Sequence, residues 1–330
     1  MEEGRSELPL VLVSHALPAE WLASLEGRCR MVIGPANATA LAPELAAHLP
    51  EAEGLFSLLT IPVNAALLDA APKLRVVSNM AVGYDNVDVA ACTRRGIPVG
   101  NTPGVLTDAT ADLAFALLLS AARRLPEASA DARAGRWTTW EPAGWLGADL
   151  AGATLGIVGM GKIGYAVARR AHAFGLHIVY SDPGAHDAAE REFGAVYVPF
   201  ELLLRTSDFV SLHCPLTTET RGLMGEAALR QMKPTAILVN TSRGPVVDQE
   251  ALHRALTEGW IAAAALDVTT PEPLPASHPL YSLPNCLIVP HIGSATHGTR
   301  RRMAELACAN LLAGLAGERL PHCVNPAVYE

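Results

Sequence analysis

The amino-acid sequence predicts an α/β protein built from two doubly wound parallel sheets. Three observations predict it. Strand-length apolar runs alternate with helical stretches over roughly the first hundred residues, a second alternation begins at Thr154, and a glycine-rich turn joins the first strand and helix of that second series. Alternation of this kind is what parallel strands joined by crossover helices look like in sequence.

Composition sets the bounds. At 330 residues, the chain is long enough for about two domains. It is 50% apolar and 18% charged, which supplies large cores and argues against disorder. A formal charge of −8 argues against nucleic acid as the main partner, because phosphate backbones call for clustered cations. The short basic pieces Arg123-Arg124 and Arg300-Arg301-Arg302 sit in helix-like stretches and read as solvated faces or subunit contacts.

The apolar run at residues 9–13 has acidic residues before it, which suits a strand and not the core of a signal peptide. The longest other apolar stretch, residues 113–122, is too short to cross a membrane. A cytoplasmic protein with no membrane partner is expected. The six cysteines form no CxxC pair, so neither a disulfide framework nor a metal site is expected.

In the first series, strands are expected at 10–13, 31–33, 54–59 and 75–79, with a short last strand at Val99. Helices are expected at 18–25, 40–48, 64–70 and 87–95, the last ended by Gly96. A long helix follows at 107–125. Its apolar residues cover nearly the whole circumference, so burial on all sides is expected, between domains or subunits. Residues 135–150 read as a loop rich in Trp, Gly and Pro.

The second series has strands at 154–158, 177–181, 196–198, 209–212, 236–239, 261–265 and 287–289. Helices are expected at 162–174, 200–205, 226–232 and 249–257, and a final helix at about 295–315. Periodicity does not say where that final helix packs.

Gly159-Met160-Gly161-Lys162-Ile163-Gly164 is a GxGxxG, a weak pattern by itself. Here a strand precedes it, a helix opens at Lys162, and Asp182 ends the next strand 18 residues after Gly164. Gly159 permits the tight turn, Gly161 lets backbone approach a pyrophosphate, and Gly164 lets helix and strand pack closely. The helix N-terminus then offers N–H groups and positive dipole to the anion. A dinucleotide site is implied. Asp182 is expected on the adenosine ribose hydroxyls, where a carboxylate would repel the extra phosphate of NADP. NAD is therefore the expected cofactor, NADH being preferred over NADPH. Asp182 can equally serve as a turn residue before Pro183 and Gly184.

Downstream, Arg243, Glu272 and His291 each follow a strand of the second series, and loops past the carboxyl ends of such strands are where ligands bind. Singly each would pass for an ordinary surface or structural residue. Together they supply what keto-acid reduction needs: a cation for a carboxylate and carbonyl, an imidazolium to give a proton, and a carboxylate to orient the imidazole and favour its charged form.

These segments, with the glycine loop, closely resemble the D-2-hydroxyacid dehydrogenase family, especially its glyoxylate/hydroxypyruvate reductases. The resemblance runs from about residue 74 to 325. It takes in Val82-Gly83-Tyr84-Asp85, the stretch 101–108, Trp137-Thr138-Thr139-Trp140, His213-Cys214-Pro215-Leu216 and the stretch 266–297.

The resemblance implies a Rossmann NAD-binding domain (106–295) inserted into a flavodoxin-like substrate domain (1–105 and 296–330), with the last helix returning to the latter. It implies that Arg243 binds carboxylate and keto oxygen, that His291 is the acid/base, and that Glu272 orients it. Backbone N–H groups of Val82 and Gly83 hold the carboxylate, and Ser294 joins the substrate residues. Asp267 contacts the nicotinamide end, while Thr107, Lys162, Ile163, His213, Cys214, Pro215, Thr241, His291 and Gly293 line the cofactor site. A homodimer is implied. Trp137 is expected to pack on its own subunit, and Trp140 to reach across and close the neighbouring substrate pocket, leaving room only for small 2-keto acids such as glyoxylate and hydroxypyruvate.

Some relatives fit poorly. Phosphite dehydrogenases carry a Lys where Val82 stands, and formate dehydrogenases a glutamine where Pro290 stands. Mammalian-type hydroxypyruvate reductases use NADPH and have a basic segment in place of Ser181-Asp182, so their cofactor choice does not carry over. Two alternatives stay open. One is an enzyme of the same family acting on D-lactate, 3-phosphoglycerate or a bulkier 2-keto acid, although no C-terminal regulatory domain follows, as phosphoglycerate enzymes usually have. The other is an NAD-sensing corepressor, which would need nuclear signals that the sequence lacks.

Overall fold

A computed structural model describes residues 8–330, so the first acidic stretch lies outside the described residues. The chain divides into two compact units. One takes in the chain up to Leu106 and again from Thr296 to Glu330, and the other is Thr107–Ala295.

The first unit is a five-stranded parallel sheet of β1 (Leu10–Val13), β2 (Arg30–Ile33), β3 (Gly54–Ser57), β4 (Val76–Asn79) and β5 (Val99–Gly100), in the order β2-β1-β3-β4-β5. That is the flavodoxin-like order. β1, β3 and β4 are buried along their whole length, as strands covered on both faces must be. Helices α1 (Pro43–Ala46), α2 (Ala65–Ala70) and α3 (Val89–Arg94) accompany the sheet. Asn64 and Asp88 cap the last two, accepting from the N–H groups of Leu67 and Ala91.

The C-terminal helix His297–Ala316 belongs to this unit and lies on β3 and β4. Gly314 makes the close approach possible, since a Cβ there would stand 2.5 Å from the Val76 side chain. Ser78 Oγ donates to the Ala307 carbonyl at 2.7 Å, tying strand to helix.

The expected helix at 18–25 is instead two 3₁₀ turns, Ala19–Trp21 and Ala23–Leu25, neither with a side-chain cap. That at 40–48 shrinks to α1, opened by Pro43 and closed before Pro50. Prolines that close together leave room for about one turn.

The second unit holds a seven-stranded parallel sheet: β6 (Thr154–Val158), β7 (His177–Ser181), β8 (Val196–Tyr197), β9 (Phe209–Leu212), β10 (Ile237–Asn240), β11 (Ala263–Leu266) and β12 (Cys286–Ile288). The order β12-β11-β10-β9-β6-β7-β8 reverses between β6 and β9, the Rossmann arrangement with its topological switch point there. The helices are α4 (Thr107–Ala122), α5 (Leu125–Arg133), α6 (Lys162–Ala173), α7 (Asp187–Phe193), α8 (Phe200–Thr206), α9 (Glu226–Leu229) and α10 (Gln249–Thr257). α4 and α6 pack on one face, burying Phe115, Leu118, Leu155, Ile157 and Tyr180. Each large apolar side chain so buried contributes roughly 1.5–3 kcal/mol.

Three differences from the sequence reading stand out. α4 is not buried all round within the chain: Asp108, Asp112 and Ala116 form an exposed stripe at i, i+4 and i+8, and both aspartates meet Arg170 of α6. The helix stops at Ala122 because Arg124 turns left-handed at φ 51°, and α5 then begins with Pro126 in its first turn. α7 was not expected. Its His186 cap accepts from Ala189 N–H, and Gly194 ends it at φ 64°.

Among the described residues, no helix is long and apolar enough to cross a membrane. All six cysteines are free, and burial pushes the thiols of Cys92, Cys214 and Cys308 up to about 11 and that of Cys286 to about 12.

Candidate active site

The glycine loop sits at the switch point of the second sheet. Gly159 has φ 94°, and a Cβ there would come within 2.6 Å of Cys214 N in the loop after β9. A Cβ on Gly164 would strike the Gly159 carbonyl at 2.1 Å. Both positions therefore require glycine for conformation or packing. Gly161 differs, since a Cβ there would meet nothing within 4 Å. It precedes α6, whose N-terminus no side chain caps, with Lys162 exposed and Ile163 half-buried at its start. Open space before uncapped helix amides fits a pyrophosphate, so the residues present match a dinucleotide.

Asp182 ends β7 beside this loop. Its Oδ2 accepts the Met160 N–H at 2.7 Å, so one carboxylate oxygen shapes the glycine loop. His213 and Thr241 come together across the neighbouring strand ends, the Thr241 hydroxyl lying 3.5 Å from Nδ1. The Ser211 hydroxyl is 2.8 Å from Nε2. Burial lowers the His213 imidazole to about 4, so the ring is neutral at physiological pH. Pro215 is exposed, its carbonyl accepting from the Thr220 hydroxyl at 2.6 Å.

Asp267, 2% exposed at the end of β11, organises the next loop. Its Oδ1 accepts Ile292 N–H at 2.6 Å and its Oδ2 accepts Gly293 N–H at 2.9 Å. Burial raises this carboxyl above its ordinary value, although the two amides favour the ionised form. Gly293 is buried under Thr110, whose hydroxyl donates to its carbonyl at 3.3 Å, and Ser294 beside it is half-buried.

His291 leads this turn with φ 50°, a conformation that costs an L-residue on the order of 1–3 kcal/mol. Its N–H donates to the Asp267 carbonyl at 2.9 Å, which holds the strained residue in place. Nδ1 of His291 is hydrogen-bonded to Glu272 Oε1. With Nδ1 engaged by a carboxylate, Nε2 is the nitrogen left to exchange a proton.

Arg243 follows β10 in a turn built by Asn240. That fully buried side chain donates to the Arg243 carbonyl at 2.9 Å and accepts from Ser242 N–H at 3.0 Å and its hydroxyl at 2.8 Å. Arg243 Nη1 also donates to the Ser242 carbonyl at 2.8 Å. The next residue, Gly244, lies so close to the Glu272 loop that a Cβ would overlap the Thr269 carbonyl at 1.9 Å.

Gln249 completes that junction through Thr270. Asn240 and Gln249 position the loops, and both escaped the sequence reading because they act on backbone far away in sequence.

Not every expected residue joins a cluster. Val82 and Gly83 are half-buried in the first unit after β4, and Thr107 is half-buried at the start of α4. Trp140 is 79% exposed in its loop. Trp137 is 74% exposed, which contradicts packing on its own subunit; the surrounding Gly- and Pro-rich loop forms no regular structure that could cover it.

Residues 115–293 match the model of the D-isomer specific 2-hydroxyacid dehydrogenase NAD-binding domain. A protein named glyoxylate reductase from Korarchaeum cryptofilum is 52% identical over 323 residues, 98% of this chain and 97% of that protein. The crystal structure of the TT0316 protein of Thermus thermophilus aligns with TM-score 0.89 at 47% identity, covering 96% of this chain and 99% of the other. An NADPH-dependent glyoxylate/hydroxypyruvate reductase of Sinorhizobium meliloti, solved with NADP and malonate, aligns with TM-score 0.85 at 34% identity over 97% of each chain. With a glycine loop at the switch point and a histidine paired to a carboxylate past β12, the chain belongs to the D-isomer specific 2-hydroxyacid dehydrogenase family of nicotinamide-dependent enzymes.

Proposed function

We propose that the chain reduces small 2-keto acids, glyoxylate and hydroxypyruvate first among them, to glycolate and D-glycerate with NADH. The observation that carries this reading is the pairing of His291 with Glu272, within the loops that Asp267 and Gln249 brace. Similarity to proteins named glyoxylate reductase supports the choice of substrate.

The nicotinamide, when bound, supplies the hydride. The chain's own residues do the rest. The Arg243 guanidinium takes the substrate carboxylate and draws electron density toward the keto oxygen. The His291 imidazolium gives its Nε2 proton to that oxygen as the carbonyl carbon becomes tetrahedral, and Glu272 keeps the ring oriented. In the first unit, Val82 and Gly83 offer backbone N–H groups to a carboxylate. Gly159, Gly161, Lys162, Ile163 and Gly164 take the pyrophosphate, with Thr107, His213, Cys214, Pro215, Thr241, Asp267 and Gly293 along the cofactor and Ser294 by the substrate.

NADH is the preferred form because the second oxygen of Asp182 remains to accept from a ribose hydroxyl, and its charge opposes a 2′-phosphate. The reductase of Sinorhizobium meliloti is NADPH-dependent, so this preference belongs to the chain's own residues. A homodimer working in the cytoplasm completes the reading. Two exposed tryptophans on one loop support it, with Trp140 closing the pocket of the other subunit.

A panel of 2-keto acids with NADH tests the proposal. Glyoxylate and hydroxypyruvate should turn over well, pyruvate poorly and 2-ketoisocaproate hardly at all; preference for the branched acid would refute it.

A further inference from the structure

The turn after β4 is pinned through its carbonyls. Thr102 N–H donates to the Ala81 carbonyl at 2.8 Å. The Asn101 side chain donates to the Val82 carbonyl at 2.8 Å, and the Asn79 side chain to the Gly83 carbonyl at 3.0 Å. In a planar trans peptide, the carbonyl of one residue and the N–H of the next point in opposite directions. Holding the carbonyls of Ala81, Val82 and Gly83 therefore fixes the N–H directions of Val82, Gly83 and Tyr84. None of these three N–H groups has an acceptor among the described residues.

The two asparagines are themselves braced. Asn79 is fully buried; its Oδ1 accepts from the Ser57 hydroxyl at 3.1 Å, and its amide donates to Asn86 Oδ1 at 3.2 Å. Asn86 in turn donates to the carbonyls of Leu58 and Ile61 at 3.2 and 3.0 Å. The Asn101 backbone is held from the other side, its carbonyl accepting from Asn310 of the C-terminal helix at 2.9 Å and its N–H donating to His322 at 3.3 Å. A buried amide costs free energy unless its hydrogen bonds are made. Here they hold a turn whose own N–H groups lack protein partners.

We infer that Asn101, backed by Asn79, is a positioning residue that aims the Gly83 amide at the substrate carboxylate. This rests on the reading that the Val82 and Gly83 amides take that carboxylate. Asn101 sits on a different strand end from the turn and hydrogen-bonds to it through the Val82 carbonyl. Its loss therefore frees one peptide plane without removing any donor to the substrate.

The experiment measures glyoxylate kinetics, oxalate binding in the presence of NADH, NADH binding alone and melting temperature. It compares wild type with Asn101→Ala and Asn101→Asp. Asp keeps the size of the side chain but turns an oxygen toward the Val82 carbonyl. Both variants should raise KM for glyoxylate and Kd for oxalate by roughly tenfold, the worth of one misaligned hydrogen bond to a charged group. NADH affinity should stay within about twofold of wild type, since it is read on the other unit. Unchanged KM and oxalate affinity would overturn the inference, and so would parallel losses of NADH affinity and melting temperature. Wild type that reduces glyoxylate but does not bind oxalate would instead overturn the parent reading of Val82 and Gly83.

Discussion

Gln249 clamps Thr270 by both ends of its side-chain amide: Nε2 donates to the Thr270 carbonyl at 2.5 Å, and Oε1 accepts Thr270 N–H at 2.7 Å. Gln249 opens α10 just past Arg243, and Thr270 lies two residues before Glu272. One buried side chain therefore sets the loop of the carboxylate relative to the loop of the guanidinium.

Replacing Gln249 with Met keeps the volume and removes both hydrogen bonds. kcat for keto-acid reduction should fall, as in Glu272→Gln. In the Glu272→Gln background, Gln249→Met should lower kcat no further, as a double-mutant cycle would show. Full additivity would mean that Gln249 does not act through Glu272.

Removing the imidazole by His291→Asn should cost on the order of 10²–10⁴ in kcat, the usual worth of a positioned acid/base. Arg243→Lys should also be severe, because an ammonium cannot reproduce a planar two-donor fork. Glu272→Gln takes away the carboxylate that orients the imidazole, so kcat should fall while NADH binding stays near wild type. An unchanged kcat in that variant would remove Glu272 from proton transfer.

Cofactor choice rests on Asp182. NADH should give a higher kcat/KM than NADPH, and Asp182→Ala should narrow the gap. It should also weaken both cofactors somewhat, since the Met160 amide loses its acceptor. Wild type that prefers NADPH would leave Asp182 with its structural role alone.

His213 gives a pH-dependent term in stability. Its imidazole is held down to about 4 in the fold against an ordinary 6.5, so the unfolded chain binds the extra proton between those values. The contribution is full above about 6.5 and is lost as pH falls toward about 4. His213→Gln should therefore lose less melting temperature than wild type over that range. Equal losses would mean that the buried ring does not titrate as the structure implies.

Much of this was legible in the sequence, and the reasons differ by residue. The central strands announce themselves because both faces are covered, which leaves uninterrupted apolar runs such as Leu10–Val13 and residues 237–239. The glycine loop was legible because Gly159 and Gly164 answer to local constraints of conformation and contact. Short helices were harder. α7 has a capping histidine and a left-handed glycine at its two ends but only Ala189 buried, so its apolar signal is faint. α4 misled because alanine counts as apolar wherever it falls, and Ala116 hid the exposed stripe. Gln249, Asn240 and Asn101 gave no sign of these roles, since each works by hydrogen-bonding backbone that only the fold brings near.

The most direct test of the central claim is the product formed from hydroxypyruvate and NADH by the wild-type chain, resolved by chiral chromatography. Hydride delivered to one face of a carboxylate-anchored keto acid, with His291 protonating its oxygen, should give D-glycerate alone, in amounts equal to the NADH consumed. L-glycerate, a racemic product, or NADH consumed without glycerate would contradict the account.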